Sequence, residues 1–329
     1  MAEGSLISIR KNVSKLEDRA HQLSEQMPEI LVDAKRVAHT VAHGIHGRRR
    51  RGPGETFWQF RHYEDSDTAG QIDWRRSASS DALYVREREW EAAHTVWLWP
   101  DLSPSMDFQS HLSDVTKFDR TLVLTFALAE LLVQGGERVG IAGHMLPTSS
   151  RMAVGRLADT IVQLIAQSRE GLSLPPLVRL NPHAEFVSIG DFLDPQEKLS
   201  ECFETIASQG IRGHLVQIFD PAEETLPYTG RTLFESREGK LSLLTGRAEN
   251  LREGYIEKLR NHRIALDQLA KRMEWSYLIH HTDRPAGEAL LALHTKLTGQ
   301  DDDYRVPVST PSSKRKEKQS SENGEGAHS

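Results

Sequence analysis

Short apolar runs alternate with longer amphipathic stretches from about residue 94 onward, and this alternation limits the fold more than any other feature of the chain. Amphipathic stretches at 116–134, 155–168, 195–209 and 247–273 have the periodicity of helices. The apolar runs are short and bounded by turn residues, at 95–99, 138–142, 185–190, 212–219 and 275–280. Near-continuous apolar strands separated by helices indicate a mainly parallel sheet covered on both faces. We therefore predict a doubly wound α/β domain over residues 94–298.

The composition limits the classes of protein to which the chain can belong. Hydrophobic content of 38% with 27% charged residues is ordinary for a soluble globular protein, and the net charge of -6 does not indicate nucleic acid or membrane as a partner. The single cysteine, Cys202, excludes an intramolecular disulfide framework and is expected to be a buried, inert thiol. The first thirty residues carry charges throughout, without the apolar core of a secretory signal. The most apolar helical stretch, 121–133, is too short to span a bilayer, so we expect a cytoplasmic protein without a membrane span.

The N-terminal segment, residues 1–43, is predicted to be helical. Apolar residues recur at three- and four-residue steps from Leu6 to Met27, and a second helical pattern runs from Leu31 to Val41. Pro28 lies between the two patterns, so we expect two helices with an interruption there. Packing on the protein's own core, or pairing as a helical hairpin, is favoured over a coiled coil, because about three heptads is the lower limit for one.

Two further segments differ in composition from the sheet domain. Residues 44–93 begin with a basic loop at 47–54, and alternation at 57–61 and 83–86 predicts short strands. This region is therefore expected to be a small, β-rich and Arg-rich insert before the sheet domain. Residues 299–329 contain few apolar side chains and cannot bury enough surface to offset their ordering entropy, which predicts a disordered tail.

Oxygen-bearing side chains follow two of the predicted strands. Asp101, Ser103 and Ser105 come directly after the first apolar run, and Asp191 follows the run at 185–190. Ligands of open α/β sheets bind beyond the carboxyl ends of the strands, and hard oxygen donors suit a cation such as Mg²⁺. Asp and Ser are also common helix caps, so these residues alone leave both a cap and a metal site open.

An ordered set of motifs precedes and includes this loop. In chain order the motifs are Gly54-Glu55-Thr56-Phe57, Arg61-His62-Tyr63, Asp65-Ser66-Asp67, Ile72-Asp73-Trp74, Ser77-Ala78, Val85-Arg86-Glu87 and Asp101-Leu102-Ser103-Pro104-Ser105. The last resembles the Asp-x-Ser-x-Ser of the metal-ion-dependent adhesion site in von Willebrand factor A domains. The earlier ones are similar to the bacterial family called domain of unknown function fifty-eight, whose members accompany MoxR-type AAA+ ATPases.

The resemblance implies a sheet of von Willebrand factor A type and a non-enzymatic, metal-dependent module for binding a protein partner. In such a site Ser103, Ser105 and a Thr bind Mg²⁺, Mn²⁺ or Ca²⁺ directly, while Asp101 and Asp191 act largely through bound water. Thr148 is the nearest candidate for the Thr, although the usual Gly-Gly-Thr context is absent and Ser149 or Ser150 could replace it. An open position on the cation then takes an acidic residue of a partner, for which the family suggests a MoxR-type AAA+ ATPase.

The resemblance also implies partner contacts in the 44–93 region. The chain departs from the family pattern where Ala69-Gly70-Gln71 replaces an Arg before Ile-Asp-Trp, and where Ser79 replaces the Arg after Ser-Ala. We expect partner binding to use the motif residues and nearby arginines that are present, namely Arg61, Asp67, Asp73, Trp74, Arg75, Arg76 and Arg86.

Two other functions are suggested by the sequence, one by the Asp101 loop and one by the 44–93 region. A phosphohydrolase of haloacid-dehalogenase type places a nucleophilic Asp at a strand end, but it needs an acid two residues later, where this chain has Ser103. A single-stranded nucleic-acid site could use the arginines at 48–51 with Trp58, Phe60 and Trp74, although the glutamates at 87–91 oppose it. We expect neither an enzyme nor a nucleic-acid-binding protein.

Overall fold

The computed structural model of the chain describes residues 2–48, 58–64, 67–68, 70, 72–78, 82–88, 93–236 and 241–298. Its strands are β1 Trp58–His62, β2 Tyr84–Arg88, β3 Thr95–Pro100, β4 Arg138–Ile141, β5 Met145–Thr148, β6 Glu185–Gly190, β7 Arg212–Phe219, β8 Thr232–Glu235, β9 Ser242–Thr245 and β10 Ser276–His281. Its α-helices are α1 Ala2–Arg48, α2 Trp74–Ser77, α3 Lys117–Gln134, α4 Ala153–Gln167, α5 Gln196–Ala207, α6 Pro221–Thr225, α7 Arg252–Arg272 and α8 Ala286–Leu297. The predicted tail at 299–329 lies outside the described residues, as does most of the basic loop at 47–54.

A six-stranded sheet forms the centre of the fold, in the order β10-β7-β6-β3-β4-β5. All neighbouring pairs are parallel except β4 and β5, which are antiparallel. The predicted α/β class with a mainly parallel sheet is confirmed. The chain moves from β3 toward one edge through β4 and β5, then returns to the other side of β3 with β6. The strand order therefore reverses between β3 and β6, which is where ligands bind in sheets of this kind.

Burial on both faces explains why the central strands read as continuous apolar runs. Every residue of β6 is buried, as are the last five of β3. Right-handed crossovers that proceed in opposite directions from the centre place α3 and α5 on opposite faces of the sheet. Cys202 on α5 is buried as predicted, and burial raises the pKa of its thiol to about 12.

The N-terminal helix α1 is continuous through Pro28, so the predicted interruption and the helical hairpin are wrong. Packing of the helix on the core is confirmed. Its buried side chains, spaced by three or four residues on both sides of Pro28, join the sheet's core and pack against α3, α4 and α8; they are Leu23, Met27, Ile30, Ala34, Ala38 and Val41. This packing offsets the roughly 3 kcal/mol that an interior proline costs. Pro28 and Ser24 are exposed, so water can reach the carbonyl that Pro28 leaves without its helical donor.

Two antiparallel hairpins lie outside the main sheet. β1 pairs with β2, which confirms the two short strands predicted between residues 57 and 86. The pairing of β8 with β9 was not predicted, and neither were β5 and α8. The three strands have only four residues each and alternate weakly, so tertiary contacts rather than sequence periodicity define them.

We expect the substitution Ile30→Ala to lower the free energy of unfolding by about 2–4 kcal/mol, because it leaves a cavity beneath α1. Val32→Ala is the matched control on the same helix, since the Val32 side chain is 64% exposed, and its effect should stay within about 0.5 kcal/mol. Urea denaturation of the full chain measures both. Equal effects of the two substitutions would show that α1 does not pack on the core.

Candidate metal centre

The carboxyl ends of β3 and β6 lie side by side, and each strand leads directly into an aspartate. The backbone N–H of Asp101 donates to the carbonyl of Ile189 at 2.8 Å, which continues the pairing of the two strands into the loop. A Cβ on Gly190 would come within 2.6 Å of the Cβ of Asp101. Only glycine therefore lets the Asp101 side chain lie against β6 and close to Asp191.

Hydrogen bonds link four residues in succession at this edge. Asp101 Oδ1 accepts the backbone N–H of Ser103 at 2.8 Å, and the hydroxyls of Ser103 and Ser105 are 2.9 Å apart. The Ser105 hydroxyl in turn donates to Asp191 Oδ2 at 2.9 Å. The 2.9 Å contact between the two hydroxyls is a hydrogen bond, and the same separation is compatible with adjacent ligands of an octahedral Mg²⁺ at about 2.0–2.1 Å.

A buried lysine completes the cluster. Lys117, the first residue of α3, is 1% exposed. Its ammonium donates to Asp191 Oδ2 at 3.0 Å and to Glu223 Oε1 at 2.7 Å. Glu223 Oε2 accepts the backbone N–H of Asp220 in the capping box that begins α6. Lys117 thus connects the Asp191 loop to the segment that follows β7.

The charges of this cluster are only partly balanced, because three acids meet one ammonium. Burial and the nearby Asp191 hold the pKa of Asp101 well above its ordinary value. Burial also raises the pKa of Glu223, despite its bond to Lys117. For Asp191, burial alone would raise the pKa, but the charge and hydrogen bond of Lys117 bring it below the ordinary value. An additional cation beside Asp101 would therefore be favoured electrostatically.

Arg169 fixes the loop from its other side. Its guanidinium donates to the carbonyl of Leu102 at 2.6 Å and to that of Ser103 at 2.8 Å. It also forms an ion pair with Asp107 at 2.7 Å, and Asp107 is paired with Arg19 of α1 at the same distance. These bonds occupy backbone carbonyls of the loop, so they hold the serine hydroxyls in place without using them.

Comparison with known families shows to which family the chain belongs. The model of the family described as "Protein of unknown function DUF58" matches residues 59–265. The chain belongs to this family. Two relatives are the uncharacterized protein Mb1516 of Mycobacterium bovis and the uncharacterized protein Rv1480 of Mycobacterium tuberculosis. Each is 24% identical over 287 residues, which span 83% of this chain and 85% of the relative.

Two solved structures share a more distant likeness with this member of the family. One is a conserved hypothetical protein BatB from Bacteroides thetaiotaomicron, and the other is an aerotolerance-related membrane protein from Bacteroides fragilis. Each is 18% identical and is covered completely, while 63% of this chain is matched, with a TM-score of 0.37.

The structure does not bring Thr148 to the other predicted ligands, so that assignment is wrong. Thr148 pairs with Val139, and Val139 pairs with Val96 near the start of β3. Thr148 is therefore level with the opposite end of β3, displaced from Asp101 by about 16 Å along the strand direction alone, at the rise of a strand. Ser149 and Ser150 follow it in the same loop and are excluded for the same reason. The antiparallel direction of β5 reverses the edge at which its last residue lies.

The residues predicted to bind a partner lie in and around the β1–β2 hairpin. Asp73 is buried and caps α2 by accepting the N–H of Arg76 at 3.0 Å, which gives its carboxylate a structural role. Trp74 is 62% exposed, and Arg75 is exposed beside it. Asp67 Oδ2 accepts the N–H of Glu64 at 2.9 Å. Arg61 and Arg86 belong to β1 and β2, but their side chains lie outside the described residues, so partner binding there stays a prediction.

Sequence reasoning missed Lys117, Glu223, Asp220 and Arg169. A signal existed for one of them, because Asp220 follows β7 directly, as Asp101 follows β3 and Asp191 follows β6. Lys117 opens an apolar helix and reads as an ordinary exposed first-turn residue. In the described part of the chain, no three or more His, Cys, Asp or Glu side chains are arranged to hold a metal. A cation here would consequently depend on the serine hydroxyls.

Across the described residues, no helix has the length and apolar character needed to cross a bilayer.

We expect Asp101→Asn to be more stable than the parent in EDTA at pH 7.5. Burial and Asp191 raise the pKa of the Asp101 carboxyl in the folded state, so this carboxyl destabilises the folded parent at that pH, and the Asn variant lacks it. A raised folded pKa means that the folded state binds more protons than the unfolded state above about pH 4, so the parent's stability falls as pH increases. The advantage of the Asn variant should therefore shrink toward pH 4. Denaturant midpoints at the two pH values measure it, and a variant less stable than the parent at pH 7.5 would contradict it.

Proposed function

We propose that this chain is a non-enzymatic protein-interaction module that binds an acidic side chain of a partner through a divalent cation at the Asp101 loop. The observation that carries the proposal is that the Ser103 and Ser105 hydroxyls meet beside the two strand-end aspartates, Asp101 and Asp191. The Asp-x-Ser-x-Ser sequence supports it, as does the reversal of the strand order between β3 and β6, beside this loop. Asp101 has no ion pair of its own among the described residues, and burial with the nearby Asp191 raises the pKa of its carboxyl, so a cation beside it would favour the ionised form.

The residues present fit an adhesion-type site with one ligand fewer than the usual set. Ser103 and Ser105 would bind Mg²⁺, or Mn²⁺ or Ca²⁺, through neutral oxygens, while Asp101 and Asp191 would act mainly through bound water. A cation with neutral protein ligands keeps its attraction for a carboxylate from outside. Asp101, Ser103 and Asp191 are each 2% exposed, whereas Ser105 is partly exposed and marks where a partner can reach.

The family resemblance suggests a MoxR-type AAA+ ATPase as the partner, acting with this chain in chaperone-like assembly or maturation in the cytoplasm. The exposed Trp74 and Arg75 of the hairpin offer a second contact surface for that partner. Large exposed aromatic residues beside arginines are frequent anchors of protein interfaces.

A phosphohydrolase is the second candidate, and the geometry gives it less support. A nucleophilic aspartate must be ionised and accessible, but the Asp101 side chain is buried and its pKa is raised. Ser103 occupies the position of the leaving-group acid and cannot serve as one.

A pull-down of a purified MoxR-type ATPase from the same organism tests the proposal. We expect retention by the parent chain in Mg²⁺, loss in EDTA, and at least about tenfold weaker retention by Ser105→Ala, because one of two direct ligands is removed. Thr148→Ala is the matched control, since it also removes one hydroxyl but at the opposite end of the sheet. Its retention should equal the parent's.

Retention that is unaffected by EDTA, or equal for the two hydroxyl variants, would exclude the adhesion-type site as the contact. Thermal unfolding of each variant verifies that the fold is intact. A titration with a glutamate-containing peptide, with and without Mg²⁺, separates metal-dependent capture of a carboxylate from contacts made by the hairpin.

A further inference from the structure

We propose that Lys117 sets the cation affinity of the Asp101 site by competing with the cation for one oxygen, Asp191 Oδ2. The inference rests on the proposed function, because it concerns the same site. It assigns to a buried lysine a control over the cation that neither the Asp-x-Ser-x-Ser sequence nor the family match contains.

The two oxygens of Asp191 have separate partners. Oδ1 accepts the backbone N–H of Leu193 at 3.1 Å, in the loop that follows β6. Oδ2 accepts both the Ser105 hydroxyl at 2.9 Å and the Lys117 ammonium at 3.0 Å. A cation beside Ser105 therefore depends on the same oxygen that the ammonium uses. Because Lys117 and Asp191 are both buried, water screens their charges poorly, and a cation placed here would be repelled strongly by the ammonium.

Glu223 gives the ammonium a second acceptor. Its Oε1 lies 2.7 Å from Lys117 Nζ, and its Oε2 is fixed by the N–H of Asp220 at 3.0 Å. Asp220 is itself anchored, since its carboxylate accepts the N–H of Ala222 at 2.8 Å and the N–H of Ser110 at 2.9 Å. Glu223 can therefore retain the ammonium when Asp191 turns toward a cation. Binding of a cation is in this way coupled to the position of Lys117 between two acids.

A purely structural ion pair is the alternative role for Lys117. Removing one member of a buried pair usually destabilises a protein strongly, whatever its function. The two roles differ in what they predict for metal affinity. A structural role predicts that loss of Lys117 disorders the site and weakens binding of the cation. Competition predicts that loss of Lys117 strengthens binding of the cation. It also predicts that loss of Glu223 weakens that binding, because the ammonium is then bonded to Asp191 alone.

Isothermal titration of the full chain with Mn²⁺ tests this inference. We expect Lys117→Met to bind Mn²⁺ at least about tenfold more tightly than the parent, because a buried positive charge next to the ion is removed. Glu223→Gln should bind it at least about threefold more weakly. Lys198→Met on α5 is the matched control for loss of a lysine charge, since Lys198 is exposed, and its affinity should equal the parent's.

The double variant Lys117→Met with Glu223→Gln isolates the competition. If Glu223 acts by holding the ammonium, its substitution should have little effect once Lys117 is absent. A direct attraction between Glu223 and the cation would instead persist in the double variant, and this result would overturn the inference. If Lys117→Met alone does not fold, the double variant, which removes both charges of the pair, is compared with the parent instead: tighter binding of Mn²⁺ supports the competition, and equal or weaker binding overturns it.

The outcomes separate this inference from the proposed function. If the parent binds Mn²⁺ and Lys117→Met binds it equally well or more weakly, the proposed role of Lys117 is overturned. The metal site itself then remains supported. Binding by Lys117→Met without binding by the parent supports the role of Lys117 and rejects a metal site in the natural chain. Absence of binding by every variant overturns both.

Discussion

The parallel pairing of β3 with β6 is the constraint on which the rest of the site depends. Because the strand order reverses at this pair, the connections that leave β3 and β6 go in opposite directions, and both strands lead into buried aspartates. The hydrogen bond from Asp101 N–H to the Ile189 carbonyl and the close approach at Gly190 bring those aspartates together. Two carboxylates placed this close require positive charge nearby.

The structure supplies that charge unevenly. Lys117 neutralises Asp191 and shares its ammonium with Glu223, while Asp101 has no ion pair of its own among the described residues. Arg169 lies behind the same loop but bonds carbonyls and Asp107 rather than Asp101. Under the proposed function, a loop fixed by these bonds, a buried acid without an ion pair and a partly exposed Ser105 are what a cation-dependent contact needs.

The four largely buried strands, β3, β4, β6 and β7, could be predicted because burial on both faces leaves a clear run of apolar residues. The acids at two strand ends followed from the same pattern. Thr148 could not be placed, because its position depends on the antiparallel direction of β5, and a four-residue edge strand carries almost no periodicity. Lys117 was missed because burial of a lysine depends on acids that lie 74 and 106 residues away in the chain. The continuity of α1 through Pro28 likewise depends on its packing against three other helices.

Anomalous diffraction from crystals of the full chain soaked in Mn²⁺ tests the central claim most directly. We expect one peak within about 2.3 Å of both the Ser103 and the Ser105 hydroxyl oxygens, with water between the ion and Asp101. The Lys117 ammonium should then lie closer to Glu223 than to Asp191. A saturating soak that gives no peak at the two serines, with the Lys117 ammonium still bonded to Asp191, would contradict a cation site in this protein.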